Sequence, residues 1–104
     1  VRYLAKKMQT ETDQIGRIRF PKGREVIGRV VQMMGYGKMT VKCTDGKIRL
    51  CRIPGRFRNR LWIRVNDMVL VKPWELAEDE RGDIIYRYSR AQSHWLERKK
   101  NIRL

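Results

Sequence analysis

The stretch Lys38-Met39-Thr40-Val41-Lys42-Cys43-Thr44-Asp45-Gly46-Lys47-Ile48-Arg49-Leu50-Cys51-Arg52-Ile53 reads as a β-hairpin, two apolar-rich runs flanking an Asp-Gly pair. Asp45-Gly46 predicts a two-residue type I′ turn, in which both central residues take positive φ. That turn sets Thr44 opposite Lys47, Cys43 opposite Ile48, Lys42 opposite Arg49 and Val41 opposite Leu50. Side chains alternate across a sheet. One face then carries Met39, Val41, Cys43, Ile48 and Leu50, an apolar set for a core. The other carries Lys38, Thr40, Lys42, Lys47 and Arg49, a basic outer surface. Cys43 and Cys51 fall on opposite faces, so no disulfide between them is expected. Arg52 lands on the core face, which strains the pattern, and a bulge would shift the register.

Working outward, similar β-type runs cover 25–34, 68–74 and 84–89, separated by turn signals at Gly35-Tyr36-Gly37 and Arg81-Gly82-Asp83. With the hairpin strands at 38–44 and 47–53, five short strands in about 65 residues predict an all-β fold, a small five-stranded closed barrel. Residues 91–100 predict a short terminal helix. Residues 1–22 are polar and basic, end near Pro21-Lys22-Gly23, and predict a flexible basic tail. The expected organisation is a tail over 1–22, a barrel domain over 23–90, and a helix with a basic end over 91–104.

The 104 residues hold 25 Lys+Arg against 11 Asp+Glu, a formal charge of +14. An excess of this size is the electrostatic footprint of a nucleic-acid binder. It is unevenly spread: residues 54–65 carry Arg56, Arg58, Arg60 and Arg64 and no acid, whereas 66–90 are net acidic. One side of the domain should therefore be positive. No apolar run long enough for a membrane helix occurs, and the first residues lack the apolar stretch of a signal peptide. Two cysteines without a CxxC pair suit a reducing, cytoplasmic setting and no zinc site.

The densest signal runs from 49 to 64. Pro54-Gly55 ends the third strand, and Arg56, Arg58 and Arg60 then alternate with Phe57, Asn59 and Leu61. Arginine's planar fork suits phosphate oxygens and stacks on bases. Trp62 or Tyr36 can offer a stacking face to an unpaired base. The blander reading is a solvated charged loop with Phe57, Leu61 and Trp62 in the core; for Trp62 both readings stand.

Other candidates are weaker. Gly35-Tyr36-Gly37-Lys38 lacks the spacing and following helix of a phosphate loop and reads as a hairpin turn. The acids of Glu78-Asp79-Glu80-Arg81-Gly82-Asp83 lack calcium-loop spacing and read as a solvated turn. His94 is the sole histidine. With one isolated histidine and no paired carboxylates in an apolar context, no catalytic residue is assigned and no enzyme is expected.

The residues also carry a family resemblance. Gly23-Arg24-Glu25, Met33-Met34-Gly35, Cys43-Thr44-Asp45-Gly46-Lys47-Ile48-Arg49-Leu50, Arg52-Ile53-Pro54-Gly55-Arg56, Arg60-Leu61-Trp62-Ile63 and Asp83-Ile84-Ile85-Tyr86-Arg87-Tyr88 together resemble translation initiation factor 1A, over about residues 23–98. Arg52-Ile53-Pro54-Gly55 and Lys72-Pro73-Trp74-Glu75 are similar to the archaeal type. The long acidic C-terminal tail of the eukaryotic pattern is lacking, so scanning functions attributed to it are not carried over. The resemblance implies an S1-like oligonucleotide-binding (OB) fold, related to bacterial initiation factor one. It implies binding to ribosomal RNA in the aminoacyl site of the small ribosomal subunit, with initiator tRNA and other initiation factors as partners. It implies no cofactor, no metal, no membrane, and a monomer when free. Positions matching the family's RNA-facing surface are Lys38, Lys42, Arg49, Arg52, Arg56, Arg58, Arg60 and Trp62; Arg52 rests on the resemblance alone.

The expectation is a translation initiation factor that works by binding and steric occupancy. The alternative is a general single-stranded RNA-binding or RNA-chaperone OB-fold protein, which would favour exposed aromatics over basic residues on the sheet. A rival of another class is a metal-dependent nuclease using the acids of 78–83.

Overall fold

The computed structural model describes residues 18–57, 62–102 and 104, Phe57 by its backbone only. Five strands form in chain order: β1 (Val26–Gly35), β2 (Lys38–Cys43), β3 (Ile48–Arg52), β4 (Met68–Pro73) and β5 (Arg81–Arg87), followed by helix α1 (Arg90–Lys99). A short 3-10 turn, Gly55–Phe57, follows β3. The strands close into a barrel in the order β1-β2-β3-β5-β4. All neighbours run antiparallel except β3 and β5, which pair in parallel through Leu50–Arg81, Cys51–Gly82 and Arg52–Asp83. The expected five-stranded barrel and terminal helix are both present, with ends displaced by up to three residues.

The hairpin register differs from the sequence expectation by one residue. Val41 faces Arg49, Thr40 faces Leu50, Met39 faces Cys51 and Lys38 faces Arg52. The cause is the turn. Among the described residues of positive φ, Gly46 is present at 84° and Asp45 is not, so the type I′ pair is excluded. Instead Gly46 N donates to Cys43 O at 3.0 Å and Cys43 N to Lys47 O at 2.9 Å. This is a three-residue loop over Thr44-Asp45-Gly46, in which a single glycine supplies the left-handed residue. The two-residue turn with positive φ at both centres occurs elsewhere, at Tyr36 (54°) and Gly37 (71°) between β1 and β2.

A one-residue slip exchanges the faces of a strand. Ile48 is 60% exposed rather than buried, Leu50 is half-buried, and Arg52 points out. Arg49 and both cysteines point in, and Cys43 and Cys51 are free, buried thiols on the same side of the hairpin. The strain noted at Arg52 was the sign of this shift.

Two cores result. Val30, Met39, Val41, Cys43, Cys51, Val69, Val71 and Ile84 fill the barrel. Ile27, Met68, Leu70, Ile85 and Tyr88 form a second cluster with Leu96 of α1 and with Ile18. Helix α1 is held at its start by a capping box, Ser89 accepting from Gln92 N while the Gln92 side chain accepts from Ser89 N. The chain before β1 joins this layer: Ile18 is 9% exposed, and the Phe20 ring packs edge-on to Trp95 at 6.2 Å. Part of the segment expected to be a flexible tail thus lies in the packed body, while residues 1–17 lie outside those described.

Candidate nucleic-acid interface

Several cations of the described residues are neutralised by acids. Arg19, Arg24, Arg29, Lys47 and Arg87 pair with Glu25, Glu78, Glu97, Asp79 and Asp67. The acids of 78–79 are therefore engaged by cations, and no group of three metal-ligating side chains occurs among the described residues. Lys38, Lys42, Lys72 and Arg81 carry no such partner among the described residues. They lie on β2, β4 and β5, while Arg90, Arg98 and Lys99 of α1 likewise pair with no acid among the described residues.

Register sets the arrangement of those on the sheet. Lys38 faces Arg52, Arg52 faces Asp83, and Asp83 faces Lys72, giving one row across four strands. Lys42 and Ile48 form another facing pair, and Leu50 with Arg81 lies between. At the row's centre Asp83 Oδ1 accepts from Arg52 Nε at 3.0 Å and from Trp74 Nε1 at 2.8 Å. The Arg52 guanidinium lies over the Trp74 ring, 5.0 Å from its centroid. A hollow of about 120 Å³ opens beside them, lined by Lys38, Leu50, Cys51, Arg52, Trp74 and Arg81.

Glycine makes the β5 wall possible. A Cβ on Gly82 would lie 2.6 Å from Val71 Cγ1 and 3.3 Å from Lys72 O, so the strands carrying Asp83 and Lys72 approach this closely only without a side chain there.

The expected site residues are treated unequally. Lys38, Lys42 and Arg52 are exposed on one surface, and Arg56 is exposed on the 3-10 turn. Arg58 and Arg60 lie outside the described residues. Arg49 is corrected: it is 3% exposed, turned into the hairpin's core side, and bound by Asp45. It supports the fold and does not present its charge on the outer face. Trp62 is 77% exposed, so the core reading of that side chain does not hold. Tyr36, at the β1–β2 tip, is 99% exposed.

Sequence reasoning missed Trp74, Arg81 and Asp83, which stand in the net-acidic stretch and reach the hairpin only through the parallel β3–β5 pairing. It also missed a cleft of about 540 Å³ between the 62–67 loop and α1, lined by Trp62, Arg64, Arg87, Arg90 and His94 among others. There Arg87 donates to Trp62 O at 2.8 Å, fixing the backbone from which that indole projects.

A closed barrel of this strand order, with cations over β2–β3 and turns at either side, belongs to the oligonucleotide-binding class. Comparison with known proteins narrows the class. The family described as Translation initiation factor 1A / IF-1 matches residues 15–103, and the chain belongs to that family. Translation initiation factor 1A of Methanothermobacter thermautotrophicus is 51% identical over 90% of this chain and 95% of its own length. That of Pyrococcus abyssi is 50% identical over 93% and 86%. Among solved structures, translation initiation factor one from the Wolbachia endosymbiont of Brugia malayi shares the fold, with a TM-score of 0.51 at 24% identity over 71% of this chain and 87% of that one. YjeQ from Thermotoga maritima aligns with a TM-score of 0.52 at 31% identity, over 64% of this chain and 23% of that one. The archaeal resemblance, the closed barrel read from the residues and the OB fold that the resemblance implied are thus borne out, and the chain is a translation initiation factor in class. No helix among the described residues is long and apolar enough to cross a membrane.

Proposed function

We propose that this factor binds ribosomal RNA in the aminoacyl site of the small ribosomal subunit and, with the other initiation factors, supports placement of initiator tRNA. The observation that carries the reading is the outer surface of β2, β3 and β5, where Lys38, Lys42 and Arg81 have no carboxylate partner among the described residues. Arg52 adds an exposed guanidinium there. Cations left unpaired on a sheet between two turns offer counter-charge to a phosphate backbone. By the family resemblance Arg56, Arg58 and Arg60 also meet RNA, and Trp62 and Tyr36 offer exposed rings to unpaired bases. The mechanism is occupancy: bound in the site, the barrel excludes tRNA from it, and no bond is made or broken. It acts in the cytoplasm as a monomer when free.

The test is co-sedimentation with purified small subunits, with and without a drug that occupies the aminoacyl site. Binding that the drug displaces is expected; failure to co-sediment at low salt would remove the reading. A second reading, a general single-stranded RNA binder, is favoured by the exposure of Tyr36 and Trp62. Equal affinity for small subunits and for an unstructured RNA oligonucleotide would select it.

A further inference from the structure

We propose that Asp83 and Trp74 are positioning residues that hold Arg52 as one prong of a phosphodiester subsite, with Lys38 and Arg81 as the others. The inference rests on the RNA-binding reading above and specifies how one of its contacts is made.

An acid in the middle of a cationic surface needs a reason, because by charge alone it weakens attraction to phosphate. Stability is a poor reason: the Arg52 side chain is 54% exposed, and exposed ion pairs contribute little. The geometry supplies a better one. A single oxygen, Asp83 Oδ1, accepts from both Arg52 Nε and Trp74 Nε1. The guanidinium is thereby fixed at its Nε edge while the indole supports it from one side. Its two Nη groups, the fork that reads phosphate oxygens, have no partner among the described residues. A long side chain held this way gives up little rotamer freedom on binding.

The adjoining hollow has room for the ligand. Its volume of about 120 Å³ is enough for a phosphate group. Three of its lining side chains, Lys38, Arg52 and Arg81, are cations from three different strands. Backbone phosphate of RNA is the ligand class these features fit.

The test sets positioning against plain charge. Affinity of the full chain for purified small subunits would be measured over a salt series for Arg52→Ala, Asp83→Asn, Asp83→Ala, Trp74→Phe and the Arg52→Ala/Asp83→Ala double variant. If Asp83 only lowers the surface charge, removing it tightens binding. Positioning requires the opposite: about 3-fold weakening for Asp83→Asn and about 10-fold for Asp83→Ala. The double variant should then bind no worse than Arg52→Ala. Trp74→Phe keeps a ring but loses the N–H, and should weaken binding about 2-fold. Tighter or unchanged binding by the Asp83 variants, with Arg52→Ala weakened, overturns the positioning role and leaves the RNA reading standing. Unchanged binding by Arg52→Ala together with Lys38→Ala overturns the RNA assignment of this surface. Should Asp83→Ala fail to fold, the near-isosteric Asp83→Asn and Trp74→Phe decide the question.

Discussion

Arg49 and Asp45 grip each other across the base of the β2–β3 turn, Nη1 to Oδ1 at 3.1 Å and Nη2 to Oδ2 at 2.8 Å. Arg49 Nε also donates to Glu78 O at 2.5 Å, so the same guanidinium ties the turn to the β4–β5 connection. Removing one partner of a buried pair leaves an uncompensated charge and costs about 3–5 kcal/mol where both are buried. Asp45 is partly solvated, so Asp45→Ala should cost about 2 kcal/mol, below that range. Arg49→Met should lower the melting temperature yet leave the salt dependence of small-subunit binding unchanged in the folded protein. A reduced salt slope would show that Arg49 meets phosphate after all.

The pH dependence of stability has two limbs with opposite signs. The Arg49 guanidinium hydrogen-bonded to Asp45 holds that carboxyl below its ordinary value of 3.8. Its contribution is present above that value and is lost as pH falls through the lowered folded-state pKa. Burial pushes the Cys51 thiol from 9.0 up to about 12. Its neutral form is favoured in the fold, so stability is full below pH 9 and declines as pH rises from 9 toward about 12. Thermal melts of Cys51→Ala against the parent should show a shallower decline above pH 9. Parallel declines would mean that this thiol does not contribute.

Gly82→Ala should destabilise by about 1–3 kcal/mol, the usual range for forcing an extra carbon into a packed site. The displaced groups are Val71 and the Lys72 carbonyl, and the strand to be moved carries Asp83's neighbours. Chemical denaturation measures the loss; a change below about 0.5 kcal/mol, the scale of an ordinary surface substitution, would contradict the close approach.

Replacing Arg56, Arg58 and Arg60 together by Ala should weaken small-subunit binding and flatten its salt dependence. Each lost phosphate contact lowers the slope of log affinity against log salt by about 0.7–0.9. Lys38→Ala with Lys42→Ala should do the same independently. An unchanged slope in the folded triple variant would remove the arginine segment from the interface.

The strands and helix were legible because alternating apolar positions and glycine-containing turns mark them directly. The hairpin register was not, since Asp-Gly suits both a two-residue turn and a three-residue loop with one left-handed glycine. What separates them is whether every side chain finds a suitable face, and Arg52 was the residue that did not. Arg49 was misread for a related reason: a lone arginine in an alternating run gives no sign that an acid four residues earlier will neutralise it. The role of Trp74 and Asp83 was not legible because both stand in the net-acidic stretch 66–90, and their partner Arg52 lies 31 positions before Asp83. Local composition cannot reveal a contact made by barrel closure.

The parallel β3–β5 pairing also sets an order of events. Hairpin contacts between β2 and β3 are local and quick to form, whereas Arg52 must wait for Asp83 and for most of the chain to be made. Hydrogen exchange pulsed during refolding should protect the β2–β3 amides before those of β5. A partly synthesised chain therefore exposes a loose basic hairpin without its anchored arginine. The row joining Lys38, Arg52, Asp83 and Lys72 is therefore among the last things this protein acquires, after most of its chain has been made.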